Sequence, residues 1–132
     1  MIDKASKTLK ALVVVNEPDK VGVISQSLTD RGIEVTVVTN PEEALSMCRE
    51  LPPDLAVVQD PLRSMPGTVF LNHLVRISWA TGTILIADAD EEHVHDRTEG
   101  LGILGHIRSL SDRDAMERLL DKFSAMAGSP GI

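Results

Sequence analysis

The sequence predicts an α/β domain, a doubly wound parallel sheet of five strands in order 2-1-3-4-5 with helices on both faces. Three observations predict it. Short apolar runs alternate five times with stretches of helical periodicity across the 132 residues, the pattern of a sheet built from βαβ units. Those runs, Val13-Val14-Val15 and Leu55-Ala56-Val57-Val58 among them, are apolar at consecutive positions, as in strands covered on both sides. Right-handed crossovers with one reversal then set strands one and three side by side, and open α/β sheets bind ligands at that switch point.

Each element has a local reason. Residues 9–15 form the first strand. Asn16-Glu17-Pro18-Asp19 opens a helix, with Pro18 suited to a first turn that needs no N–H donor. Val21, Ile24 and Leu28 follow at helical spacing, and Gly32 ends the element. Residues 33–38 form strand two. Asn40-Pro41-Glu42-Glu43 combines a capping side chain, a proline at the first position and acids at the positive helix end. That helix runs to about Glu50, turns Ala44, Leu45 and Cys48 inward, and stops at Pro52-Pro53.

The run Asp54-Leu-Ala-Val-Val-Gln59-Asp60-Pro61 is a buried strand three that delivers polar side chains at its carboxyl end. A loop bearing Pro61, Pro66 and Gly67 leads into helix three, residues 68–78, with Phe70, Leu74 and Ile77 inward. Strand four spans 82–87. The acids Asp88, Asp90, Glu91 and Glu92 follow it into a short polar helix four. Strand five spans 103–107. Ser111-Asp112-Arg113-Asp114 caps helix five, whose Met116, Leu119, Leu120, Phe123 and Met126 make an apolar stripe. The domain therefore covers 10–127, with a tail at 1–9 and a tail or linker start at 128–132.

Composition narrows the function. Apolar residues make up 42% of the chain and aromatic ones 2%, so the core is aliphatic. A net charge of −7 argues against nucleic acid, whose phosphates need clustered Lys and Arg. The amino-terminal residues lack the apolar stretch of a signal peptide, and no run reaches membrane-spanning length. The single cysteine, Cys48, excludes an intramolecular disulfide. A soluble cytoplasmic protein without a membrane partner is expected.

Several local signals read as structural. Gly100-Leu-Gly102-Ile-Leu-Gly105 has dinucleotide-binding spacing, but a helix precedes it and a strand follows, the reverse of what a pyrophosphate needs. His93 and His95 point apart on a helix and do not make a metal pair. His73 is expected partly buried, and His106 at the surface. The acids after strand four read as a solvated helix cap, Cys48 as inert core, and Trp79 as a fluorescence probe.

The segments Ala11-Leu-Val-Val-Val-Asn16-Glu-Pro18, Pro53-Asp-Leu-Ala-Val-Val58, Met65-Pro66-Gly67 and Thr81-Gly-Thr-Ile-Leu-Ile86 together resemble the receiver domain of two-component response regulators. The resemblance spans about residues 10–126 and implies a flavodoxin-like (βα)5 fold. It also implies a bacterial signalling switch that takes a phosphoryl group from a histidine kinase onto a strand-three aspartate with Mg²⁺. Carried over residue by residue, the implied acidic pair ending strand one falls on Val15 and Asn16, with Glu17 just beyond. The phosphoacceptor falls on Gln59, the strand-four hydroxyl on Ala87, the strand-five lysine on Ser109, and the aromatic switch on His106.

Those substitutions remove the chemistry. A neutral carboxamide is a poor nucleophile for phosphoryl transfer. Mg²⁺ takes oxygen ligands, carboxylates usually among them, and Val15 and Asn16 offer one amide oxygen. Each missing group removes about 2–4 kcal/mol of transition-state stabilisation. The leading expectation is a degenerate receiver in phosphorelay signalling, neither an enzyme nor a cofactor binder. It acts through contacts with a histidine kinase, a downstream effector or a second copy. The resemblance places the contact surface on helix four, strand five and helix five, at His95, Arg97, His106, Arg108 and Asp112.

The alternative is a working phosphoacceptor. There Asp60 is the nucleophile, Glu17 and a loop acid hold Mg²⁺, and Arg108 replaces the cation; otherwise Asp60 is a turn acid before Pro61. Because neighbouring strand residues face opposite sides, Asp60 is no simple substitute for Gln59. A flavodoxin-like small-ligand binder is disfavoured, since Asn16-Glu-Pro-Asp19 makes no phosphate cradle.

Overall fold

The apolar runs pair into a single parallel sheet. The computed structural model describes residues 8–127, so residues 1–7 of the proposed tail at 1–9, and the whole of that at 128–132, lie outside the described residues. Among the described residues the strands are β1 (Lys10–Val14), β2 (Glu34–Val38), β3 (Leu55–Asp60), β4 (Gly82–Ala87) and β5 (Gly105–Ile107). They are ordered β2-β1-β3-β4-β5, with every pairing parallel. The helices are α1 (Gly22–Thr29), α2 (Pro41–Glu50), α3 (Gly67–Ile77), α4 (Glu91–Thr98) and α5 (Arg113–Ala127).

Strand alternation divides the apolar side chains between two cores. Val13, Val15, Leu55, Val57, Ile84 and Ile86 pack on one face with Ile24 and Leu28 of α1 and Met116, Leu120 and Phe123 of α5. Val14, Ala56, Val58 and Leu85 pack on the other with Ala44, Leu45 and Cys48 of α2, Phe70, Leu71 and Leu74 of α3, and Val94 of α4. Full burial of each large aliphatic or aromatic side chain contributes about 1.5–3 kcal/mol. Burial pushes the Cys48 thiol up to about 11, so it stays protonated at neutral pH.

The elements fall where the sequence places them to within a residue or so, with five differences. Pro18 does begin a helical segment, but a 3₁₀ turn (Pro18–Lys20) that stops at Val21, where φ is −98° and ψ 17°; α1 proper starts at Gly22. Val21 has no side-chain oxygen to join the two as one capped helix. β5 is shorter than 103–107, its ladder with β4 starting at Gly105, three residues after Gly102 turns the chain at φ +67°. Met126 is 65% exposed, not inward. Phe123 already packs beside Gly82, the first residue of β4, so the next turn of α5 has run past the sheet. His73 is exposed on α3, and His106 is half-buried on β5.

Candidate functional site

Strand β3 brings Gln59 and Asp60 to the carboxyl edge of the sheet on opposite faces. Asp60 pairs in register with Ala87 on the α2–α3–α4 side, and Gln59 with Ile86 on the α1–α5 side.

The amide groups at this edge close on one another. Gln59 Oε1 accepts from the backbone N–H of Asn16 at 2.9 Å. Asn16 Nδ2 donates to the Pro61 carbonyl at 2.9 Å, and its Oδ1 accepts from the Arg63 N–H at 2.9 Å. One asparagine thus fastens the end of β1 to the loop between β3 and α3. Val15, beside it, is fully buried in the core.

Asp60 has the stronger setting. It is the last residue of β3 rather than a turn acid, and its side chain is only 5% exposed. A carboxylate that far from water needs both a counter-charge and hydrogen-bond donors. The Gly67 N–H at the start of α3 donates to Oδ1 at 2.7 Å. Arg97, from the last turn of α4, makes the ion pair with Oδ2. The peptide between Asp60 and Pro61 is cis. Gly67 is required by space: a Cβ there would stand 2.8 Å from both Asp60 Cβ and the Gln59 carbonyl oxygen. Arg97 also lines a cleft of about 370 Å³ with Asp60, Pro61, Pro66, Ala87, Asp88 and Ala89.

Arg97 is therefore no free surface side chain, and it, not Arg108, is the cation at the strand-three tip. Arg108 pairs with exposed Asp88 at 3.2 Å. Glu17 pairs with Lys20 at 3.2 Å and has no part in the Asp60 cluster. Ala87 is buried and carries no hydroxyl. Ser109 lies beyond β5, its hydroxyl 2.9 Å from that of Ser111. His106 Nε2 is 3.0 Å from the Ala89 carbonyl, tying β5 to the loop before α4. Asp112 caps α5 by accepting from the Ala115 N–H at 3.1 Å. His95 is exposed on α4. Asp90 caps α4 through the His93 N–H at 2.9 Å, which with the His93 ring holds its carboxyl below the usual range; the same carboxylate raises His93.

The oxygens at this edge are already engaged by protein donors. Asn16 Oδ1 and Gln59 Oε1 face N–H donors, and Asp60 faces a guanidinium and an N–H. Mg²⁺ would have to displace all of them to gather an octahedral oxygen set. Among the described residues, no group of three or more His, Cys, Asp and Glu side chains is placed to hold a metal.

Sequence reasoning places Arg97 on the contact surface and Gly67 in the loop before helix three, and ties neither to Asp60. Arg97 had a signal: it lies three residues after Val94 and next to Thr98, the two buried residues of α4, so it sits at the edge of the buried face.

No protein-family profile matches the chain, and no curated protein sequence does. Solved structures do match. A CheY-like response regulator receiver domain protein from Methanospirillum hungatei JF-1 superposes with a TM-score of 0.79 at 18% identity, covering 94% of this chain and 100% of its own. The response regulator domain of Thermotoga maritima CheB gives 0.74 at 20% identity, over 89% of this chain and 94% of its own. The signal receiver domain of an HD domain-containing protein from Pseudomonas fluorescens Pf-5 gives 0.75 at 15%, over 96% and 97%. The chain has the receiver-domain fold. Among the described residues, no helix is long and apolar enough to cross a membrane.

Proposed function

We propose that this protein is a receiver-like module of two-component signalling that is not phosphorylated in the usual way and works through contacts with other proteins. One observation carries the reading. The tip of β3 offers a carboxamide, Gln59, at the phosphoacceptor position, and its neighbouring carboxylate, Asp60, already faces Arg97 and the Gly67 N–H. A carboxylate must present a free anionic oxygen to attack phosphorus. Reaching that state here means breaking an ion pair and a hydrogen bond beneath α4. The same pair supplies in advance a positive charge at the tip of β3, so α4 is held against the sheet without a bound phosphoryl group.

The test is incubation of the full chain with acetyl phosphate and Mg²⁺, and separately with beryllium fluoride and Mg²⁺, read by intact mass and by fluorine NMR. No phosphoryl adduct and no bound fluoride signal are expected. A stoichiometric adduct that disappears in Asp60→Asn would establish the phosphoacceptor reading instead.

A further inference from the structure

The helix pair α2–α3 presents a surface unlike the rest of the molecule. Val69, His73 and Arg76 follow one another at i, i+4 and i+7 along α3, the ridge spacing of one helix face, and all three are exposed. Trp79 stands just past the end of α3 and is 85% exposed. Two adjoining hollows share His73. One lies along this ridge and contains Val69 and Arg76; the other opens between α2 and α3, with Leu45 and Met65 beside Arg49.

Charge sets the surface apart. Arg31, Arg97, Arg108 and Arg113 all have acidic partners. Among the described residues, Arg49, Arg63, Arg76 and Arg118 have no acidic side-chain partner; Arg49 and Arg76 are the two of these that line adjoining hollows, and Glu42 is the one carboxylate lining them. Two unneutralised guanidinium groups thus flank exposed apolar side chains in a chain of net charge −7. Exposed tryptophan and arginine around an apolar floor is the composition of interface hot spots. By contrast, Arg97 on α4, His106 on β5, Arg108 just past β5 and Asp112 just before α5 are engaged within the chain.

We propose that the α2–α3 groove is a docking surface, and that its occupant is an acidic amphipathic helix of a partner protein. A channel between two helices accepts a third by its apolar face. Apolar side chains of that helix cover Val69 and Met65, and its carboxylates meet Arg49 and Arg76 as charge-assisted pairs. This surface rests on the reading of the chain as a contact module.

The experiment selects random displayed peptides of about 16 residues, roughly four helical turns, on the full chain. The enriched peptides are then titrated while Trp79 emission is followed. Enriched sequences combining Asp or Glu with apolar residues at helical spacing are expected, with a blue shift of Trp79 on binding. Arg49→Glu with Arg76→Glu weakens binding by about tenfold or more, whereas Arg118→Glu on α5 leaves it unchanged; urea midpoints show that each variant is folded. No enrichment, basic or uncharged winners, or equal binding to the charge-reversed variant overturns the proposal. So does sedimentation showing that the chain self-associates and buries Trp79. A phosphoryl adduct would refute the contact-module reading without altering this selection, and a failed selection leaves the adduct assay as it stands.

Discussion

At the scale of single residues, Asp60 dictates what its neighbours must be. Its side chain is 5% exposed while that of Arg97 is 46% exposed, so solvent screens one partner and barely reaches the other. Removing Arg97 leaves a buried carboxylate with one N–H donor. Arg97→Ala is expected to lower stability by about 1–3 kcal/mol, less than the loss for a fully buried pair because the arginine is half in water. Asp60→Asn in the Arg97→Ala background should recover part of that loss, since the neutral amide needs no counter-charge. Urea unfolding of the single and double variants checks this; a double variant no more stable than Arg97→Ala refutes it. Gly67→Ala acts on the same residue by contact, its Cβ 2.8 Å from Asp60 Cβ and the Gln59 carbonyl oxygen. A cost of about 1–3 kcal/mol is expected from the forced shift, measured by the same unfolding curves.

At the scale of elements, caps and clasps decide how firmly each helix holds the sheet. α2 begins on Asn40, whose side chain accepts from the N–H groups of Glu42 and Glu43 at 2.8 and 3.2 Å. Asn40→Ala should cost about 1 kcal/mol in urea unfolding, and Asn40→Asp almost nothing. α1 and α5 are clasped by Arg31, which reaches Glu117 at 2.6 Å and Asp121 at 2.8 Å. The Arg31 hydrogen bond holds the Glu117 carboxyl below its ordinary 4.5. Above that ordinary value Glu117 is ionised in both folded and unfolded chains, and the clasp contributes fully. As pH falls further, the unfolded chain takes up the proton first, and the contribution is lost through the lower folded value. Glu117→Gln should therefore cost stability at neutral pH and flatten the acid limb of the stability profile below pH 4.5. An acid limb of unchanged steepness in the variant would contradict the clasp.

At the scale of the whole molecule, the fold was legible where local signals agreed and hidden where partners are distant in sequence. α2 and β4 match their predicted bounds because proline, capping asparagine and glycine mark their ends. Helical period does not tell where the sheet stops beneath α5, so it places Met126 inside, whereas the side chain is 65% exposed. The positions of Gln59 and Asp60 at one edge were readable from strand three alone. The Asp60–Arg97 pair, 37 residues apart, has no local pattern to announce it. The two cores follow from consecutive apolar residues on β1, β3 and β4, which also make the sheet common to both. Leu74 on the α3 side and Leu120 on the α5 side are each fully buried, and the sheet separates them. Truncating either to alanine should cost about 2–5 kcal/mol, and the double variant should lose the sum within about 0.5 kcal/mol. Because β1, β2, β3 and β4 serve both cores, each variant should still unfold in one transition by far-UV circular dichroism, with the denaturant slope unchanged. A biphasic curve for either variant would mean that one layer of helices can leave while the other keeps the sheet folded.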